Sequence, residues 1–105
     1  GVYAIGDAAA IKTPVMGAYA PKAGIFAHMQ AKVVARNIAS MAQGDKPESY
    51  YDGKGFCIVN TGFGKGCYTS VHYYKKPPTF SFIRPTKVAY LVKTGFEKYW
   101  LNNWF

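Results

Sequence analysis

Three short segments of this chain carry residues whose types and spacing suit chemistry. Asp7 follows Gly6 at the end of the apolar run 2–5, an arrangement that lets a carboxylate meet a ligand's hydroxyl groups where the backbone must come close. Lys22 lies just before a predicted helix start, where unpaired backbone N–H groups and the helix dipole favour an anion. Cys57 lies in an apolar segment, and its thiolate would need electropositive surroundings.

Each of these features also has an ordinary structural explanation. Most Gly-Asp pairs after a strand are turns. A helix start beside a lysine is often a capped amphipathic helix with a solvated charge. Most free cysteines are small buried hydrophobes. The residues alone therefore leave the chemistry open, and the elements that position them must be considered.

Two elements surround the first two segments. Residues 2–5 are apolar and predict a buried strand, which should have neighbours on both edges. A half-buried helix is predicted from about Gly24 to Gln43, with Gly44 as its C-terminal cap. The helix is predicted from apolar residues that recur at nearly a 3.6-residue period: Phe26, Met29, Val33, Val34, Ile38 and Met41.

The second half of the chain predicts a hairpin and another helix. After a surface connector at 45–51, strands are expected at 55–60 and 65–74 around a reversal at 61–64. A final helix is expected from Arg84-Pro85 onward, with a weak interruption of the helical pattern at Gly95. One face of it is apolar and the opposite face basic, which suits either the protein's own core or an anionic lipid surface. The apolar residues are Val88, Leu91, Val92, Phe96, Tyr99, Trp100, Trp104 and Phe105.

The segment from Val2 to Asp7 resembles the second flavin-binding motif of the flavoprotein disulfide reductases with two dinucleotide-binding domains. The run 21–24, opening a helix through Ile38, matches the same family. The resemblance implies FAD as cofactor, with its ribityl chain held by Asp7 and its pyrimidine edge facing the helix start. The implied cofactor-binding residues are Gly6, Asp7, Ala8, Lys22, Ala23 and Gly24.

A narrower resemblance lies in the run 51–53, Phe56-Cys57 and the run 61–65, which look like the sulfide:quinone oxidoreductases and the related flavocytochrome c sulfide dehydrogenases. It implies that Cys57 is the second redox cysteine, paired with a thiol from an N-terminal part of the polypeptide. In such enzymes sulfide attacks the cysteine bridge, a persulfide remains on one cysteine, and the other thiolate passes two electrons to the flavin.

The same resemblance implies that the electrons go to a quinone in the bilayer. The residues it places around the quinone are Phe56, Lys93 and Phe96; flat rings stack on the quinone and a lysine polarises its carbonyl. Monotopic attachment to a membrane surface follows from that acceptor. The expected partners are therefore sulfide, quinone, the N-terminal remainder of the polypeptide and the membrane.

The predicted fold class is an α+β fragment: the last strand and helix of an FAD-binding Rossmann-like domain, a β-hairpin and a C-terminal amphipathic helix. The expected domains are 1–44, the end of the FAD-binding domain, and 45–105, a small hairpin-plus-helix domain that faces membrane and quinone. The fragment alone is expected to be inactive. Its uncovered strand edge and helix face should promote homo-oligomers.

The composition and charge of the chain limit the kinds of ligand and partner that are expected. The 105 residues are 50% hydrophobic and carry a formal net charge of +8, which attracts polyanions in general. Nucleic-acid binding is not expected, because the basic residues are scattered and no nucleic-acid motif accompanies them. No apolar run is long enough for a membrane span. His28 and His72 lack the spacing of a metal site, so no metal is expected.

Alternatives remain open. A type II NADH:quinone oxidoreductase would share the flavin motifs and terminal helix but needs no cysteine, so Cys57 discriminates against it. A haem subunit could replace quinone as the acceptor. A non-catalytic basic module that binds membranes or partners is the alternative from another class. A disulfide between Cys57 and Cys67 across the hairpin is a minority hypothesis.

Overall fold

A computed structural model describes residues 1–104 and has α+β architecture, as predicted. A 3-10 turn, Gly6–Ala8, precedes helix α1 (Gly24–Ala42). Strands β1 (Lys54–Gly62), β2 (Lys65–His72) and β3 (Thr79–Phe82) follow, and helix α2 (Lys87–Trp104) comes last. The strands form an open antiparallel sheet in the order β1-β2-β3. Two compact units divide the chain: unit 1 contains 1–55 and 71–79, and unit 2 contains 56–70 and 80–104.

The run 2–5, predicted as a buried strand, forms no strand with the described residues. Ile5 has extended backbone, with φ −136° and ψ 167°, but residues 2–5 pair with no strand in the described chain and Val2 is fully exposed. Extended backbone becomes a strand only when a neighbour satisfies its N–H and C=O groups. The chain instead runs into the 3-10 turn at Gly6.

Helix α1 confirms the prediction at both ends. It begins at Gly24, and Gly44 follows the last turn with a φ of +86°. Its buried side chains differ from the expected apolar ones. Ile38 and Met41 are exposed, whereas Gln30 and Asn37 are buried together with Phe26. The two polar residues are buried because each bonds to backbone elsewhere in unit 1.

The predicted hairpin is confirmed, but a third strand was not expected. Strand β3 has the alternating sequence Thr-Phe-Ser-Phe, which fits a strand, although it is short and directly follows Pro77-Pro78. Its Ser81 hydroxyl lies 2.6 Å from the Ser70 hydroxyl of β2. This contact and the backbone bond from Ile83 N–H to the Tyr68 carbonyl, 2.9 Å, connect β3 to β2.

Helix α2 begins at Lys87, two residues after the Pro85 that the sequence placed near its first position. The Thr86 hydroxyl accepts a 3.0 Å hydrogen bond from Ala89 N–H, so Thr86 caps the first turn. The soft break expected at Gly95 is wrong, because the helix continues through it. No described side chain of α2 is buried. Phe105, counted in its apolar face, lies outside the described residues.

The start of α2 lies against β2 at Gly66. Gly66 and Thr86 exchange two backbone hydrogen bonds, each 2.9 Å long. A side chain at Gly66 would bring its Cβ to 3.0 Å from Tyr90 N, closer than normal packing permits. Glycine at position 66 therefore allows the helix to approach the strand.

Candidate functional site

The turn that carries Asp7 packs directly on α1. Gly6 has a φ of +62°, a conformation that residues with a Cβ rarely adopt. A Cβ at Gly6 would also lie 2.9 Å from the Ala27 Cβ. The glycine predicted from the Gly-Asp pair is thus required both by its backbone conformation and by the close approach to α1.

Two side chains hold this turn in place. The Lys22 ammonium donates to the Asp7 carbonyl, 2.7 Å, and to the Ala9 carbonyl, 2.8 Å. The Gly6 N–H donates to Gln30 Oε1, 2.7 Å, and the Gln30 side chain is almost fully buried. Gln30 did not emerge from the sequence; the only signal was a polar residue one turn after Phe26 on the inner face of the helix. Lys22 bonds to backbone rather than pairing with the Asp7 carboxylate.

The Asp7 carboxylate is exposed and has no hydrogen bond or ion pair to any residue of the described chain. An ionised carboxylate is a pure acceptor with about four lone-pair positions. Fixed backbone and a free carboxylate together make Asp7 available to hydroxyl donors of a ligand.

The start of α1 lies next to this turn. Ala23 is the N-cap residue, has extended backbone and provides no side-chain cap. A Cβ added at Gly24 would meet no atom within 4 Å. The helix therefore begins with backbone N–H groups that its own side chains leave uncapped and with open space in front of Gly24.

A shallow pocket joins these features within unit 1. Its enclosed volume is only about 10 Å³, room for about one water molecule, within a depression of about 220 Å³ that is open to solvent. A ligand would therefore lie against this surface rather than inside a cavity. Four of the six predicted cofactor-binding residues line it, and Ala8 and Gly24 do not. The lining residues are Gly6, Asp7, Ala9, Ile11, Ala20, Pro21, Lys22, Ala23, Phe26 and Gln30.

Ile11 and Ala20, which also line the pocket, belong to a loop held by hydrogen bonds. Ala20 N–H donates to the Ile11 carbonyl and Thr13 N–H to the Ala18 carbonyl, each 2.8 Å. The Thr13 hydroxyl adds a 3.0 Å bond to the same Ala18 carbonyl, and Thr13 is 2% exposed. The loop between the turn and α1 is therefore held as a small hairpin rather than left open.

The run 51–53 directly precedes β1, and Tyr51 in it contacts another tyrosine of unit 1. The Tyr51 hydroxyl donates to the Lys54 carbonyl, 2.9 Å, and its ring meets the Tyr74 ring edge-on at 5.8 Å. Burial, followed by the charges of Tyr74, Asp52 and Tyr73, raises the pKa of Tyr51 to about 12. The hydrogen bond from Lys54, which also forms a 2.8 Å ion pair, lowers the pKa of Asp52.

Cys57 lies in β1 within unit 2. Its thiol is free and its side chain half-buried, and the Thr69 hydroxyl donates to its carbonyl at 3.3 Å. Phe56, the preceding residue, is 43% exposed and stacks on Tyr68 with ring centroids 6.0 Å apart. Cys57 is thus a partly accessible thiol next to an exposed aromatic ring, and its redox role stays a prediction.

The predicted quinone residues on α2 are one turn apart. Lys93 is half-buried, Phe96 is 59% exposed, and the Phe96 ring contacts Trp100 at 5.7 Å. Phe56 stacks on Tyr68 instead, and no ring contact joins Phe56 to Phe96 among the described residues. Their joint role in quinone binding stays a prediction.

Cys67 has a structural position. Its thiol donates to the Ile83 carbonyl at 3.0 Å, which links β2 to the end of β3. Both cysteines are free thiols, and the bond from Thr69 to Cys57 places Cys57 beside a residue two positions beyond Cys67. The minority hypothesis of a Cys57–Cys67 bridge is therefore wrong for this structure.

Across residues 1–104, no group of three or more His, Cys, Asp or Glu side chains is placed to bind a metal ion. Within the same range, neither helix has the length and apolar character needed to cross a bilayer. Comparisons of the chain with protein-family models, with curated proteins and with solved structures find no match.

Proposed function

We propose that this chain is the C-terminal part of an FAD-dependent sulfide:quinone oxidoreductase. The observation that carries the proposal is the pocket of unit 1, in which the Asp7 carboxylate is free and Lys22 and the α1 start lie on the same lining. The motif that suggested FAD and the lining of the pocket share four residues: Gly6, Asp7, Lys22 and Ala23.

The residues of unit 1 fit a flavin on chemical grounds. The Asp7 carboxylate accepts hydrogen bonds from ribityl hydroxyls. The uncapped N–H groups at the start of α1, with the Lys22 charge nearby, favour negative charge on the ring edge they face. Gly6 lets the turn pack against Ala27 of α1, and Gln30 holds the turn. FAD, when bound, supplies the two-electron acceptor that the chain itself lacks.

Cys57 provides one of the two thiols that the reaction needs. In the proposed reaction, sulfide attacks a disulfide formed with a cysteine elsewhere in the full polypeptide. The new S–S bond leaves a persulfide on one cysteine and a thiolate on the other, which carries the electron pair onward. The half-buried position of Cys57 is compatible with access for a small anion.

Delivery of the electrons to quinone requires the chain to meet a membrane surface. Support comes from α2, where exposed apolar residues recur on one face while no described side chain of the helix is buried. Aromatic and basic residues together favour the boundary between headgroups and acyl chains. Peripheral, monotopic attachment is therefore part of the proposal.

The same observation favours a second candidate function, a non-catalytic module that binds membranes. The exposed face of α2 and the net charge of +8 suit that role as well. FAD retained by the full polypeptide after gel filtration would exclude it. Reduction of that FAD by NADH rather than sulfide would favour the type II NADH:quinone oxidoreductase, and reoxidation by cytochrome c rather than quinone would favour the haem acceptor.

Anaerobic titration of the full polypeptide with sulfide tests the main proposal. The flavin absorbance near its visible maximum should bleach in the wild type and in Cys67→Ser but not in Cys57→Ser. Cys67→Ser is a matched control because both thiols are half-buried on neighbouring strands and serine preserves the bond to Ile83. Bleaching of Cys57→Ser at the wild-type rate would contradict the assignment.

A further inference from the structure

The tip of the β1–β2 hairpin is an exposed phenylalanine in an unfavourable backbone conformation. Phe63 and Gly64 are the central residues of the reversal, with φ of +52° and +64°. Reversals with two positive φ values favour Asn-Gly, because a bulky side chain is disfavoured in the left-handed region. The Phe63 side chain is 98% exposed, so no packing in the described chain compensates for its conformation.

The tip lies at the same end of unit 2 as the start of α2. Gly66, three residues after Phe63, exchanges two 2.9 Å backbone bonds with Thr86, the residue that caps α2. A strand advances about 3.3 Å per residue, so the Phe63 backbone lies within about 10 Å of that connection. The backbone of the hairpin tip is therefore near the first turn of α2.

Helix α2 contributes an apolar stripe to unit 2. The stripe consists of residues with helical spacing i, i+3, i+4, i+8 and i+11 whose side chains are 55–69% exposed: Val88, Leu91, Val92, Phe96 and Tyr99. Such spacing places all five on one face. Against the single acidic residue Glu97, unit 2 carries five basic residues: Lys65, Arg84, Lys87, Lys93 and Lys98. Lys65 and Lys87 flank the tip and the first turn of the helix.

We propose that Phe63 is a second membrane contact, which inserts into the headgroup boundary of an anionic bilayer beside the α2 stripe. The inference rests on the membrane attachment in the proposed function. An exposed ring gains apolar burial there, and the surrounding lysines gain attraction to anionic lipid. These gains offset the unfavourable conformation of Phe63, which a purely structural turn would avoid by using asparagine.

Sedimentation of the full chain with sucrose-loaded vesicles tests this. The vesicles are phosphatidylcholine alone or phosphatidylcholine with one third phosphatidylglycerol. The wild type should bind the anionic vesicles more tightly, and Phe63→Asn should weaken that binding about five- to tenfold. Its urea midpoint should stay equal or rise, because Asn-Gly suits the reversal. Opposite effects on binding and stability separate a membrane role from a structural one.

Two further variants show whether the loss of vesicle binding is specific to Phe63 and to the α2 stripe. Tyr50→Asn removes an aromatic side chain that is 85% exposed in unit 1 and should leave vesicle binding unchanged. Leu91→Asn, within the α2 stripe, should weaken it. Wild-type affinity in Phe63→Asn together with loss in Leu91→Asn would overturn the role of Phe63 while preserving attachment by α2. Failure of the wild type to prefer anionic vesicles would overturn both membrane roles, but the sulfide titration in solution would still decide the enzymatic proposal.

Discussion

The Gly6 amide and the Gln30 side chain are joined by a 2.7 Å hydrogen bond across 24 residues of sequence. The donor belongs to the turn that presents Asp7, and the acceptor lies in the second turn of α1 at 5% exposure. This bond fixes the turn against the helix. A sequence motif that covers the turn alone could not have identified Gln30 as the partner of the Gly6 amide.

Replacing Gln30 by methionine should destabilise the chain by about 1–3 kcal/mol. Methionine keeps the length of the side chain, but the Gly6 N–H loses its acceptor in a partly buried place. Urea unfolding followed by circular dichroism measures the change. Gln43→Met, at the exposed C-terminal end of α1, should shift stability by less than about 0.5 kcal/mol. Equal effects of the two substitutions would show that the bond contributes nothing.

Substitution of Gly6 by alanine should cost about 1–3 kcal/mol, because the left-handed backbone is unfavourable for alanine and its Cβ would lie 2.9 Å from the Ala27 Cβ. Gly24→Ala provides the matched control, since its Cβ would meet nothing within 4 Å. That change should be neutral or stabilising by up to about 1 kcal/mol. Thermal or urea unfolding of both variants makes the comparison. A Gly6→Ala protein as stable as Gly24→Ala would contradict the close packing of the turn.

The elements that the sequence predicts correctly are those whose pattern is local. The apolar period and Gly44 determine α1, and the aromatic and β-branched runs around 61–64 determine the hairpin. The Thr86 cap places the start of α2 within a few residues of the prediction. Periodicity and caps depend on near neighbours, so they are readable without tertiary information.

The features that the sequence missed depend on partners far along the chain. Gln30 is buried because of Gly6, and Asn37 because its amide exchanges bonds of 2.9 and 3.0 Å with the Ser49 backbone. Strand β3 forms because β2 offers it an edge. The apolar run 2–5 forms no strand here for the converse reason, since no described strand pairs with it. For the pocket, the motif supplied Asp7 and Lys22 but not Gln30, which bonds to the Gly6 amide of the same turn.

Replacing Asp7 by asparagine should raise the FAD dissociation constant of the full polypeptide about five- to tenfold under the proposed function. The carboxylate has no partner in the described chain, so its loss should affect ligand binding rather than folding. Charged acceptors form hydrogen bonds about twice as strong as neutral ones. Recovery of flavin fluorescence on dilution measures the affinity.

Asp45→Asn is the control for Asp7→Asn, because Asp45 is another exposed carboxylate and lies after α1, away from the pocket lining. It should leave FAD affinity unchanged. The Asp7→Asn protein should unfold within about 0.5 kcal/mol of wild type. Unchanged FAD affinity in Asp7→Asn would remove Asp7 from the proposed cofactor site.

Alkaline pH should weaken the fold through Tyr51. Its pKa is raised to about 12, chiefly by burial, which means that the folded state favours the neutral phenol that donates to the Lys54 carbonyl. Because its pKa is raised in the folded state, Tyr51 contributes to the free energy of unfolding in full below its unfolded pKa near 10. That contribution is lost as pH rises toward about 12. Urea midpoints measured from pH 8 to pH 12 should therefore fall more steeply in the wild type than in Tyr51→Phe.

The Tyr51→Phe protein should also be less stable than wild type at neutral pH, by about 1 kcal/mol, because the hydrogen bond to Lys54 is lost. The two stability curves should converge as pH approaches 12, since the wild type then loses the same bond by ionisation. Tyr74, whose pKa is also raised by burial, is present in both proteins, so the difference between them reports Tyr51 together with its interaction with Tyr74. Parallel curves across this range would show that Tyr51 ionises with the same pKa in the folded and unfolded chain.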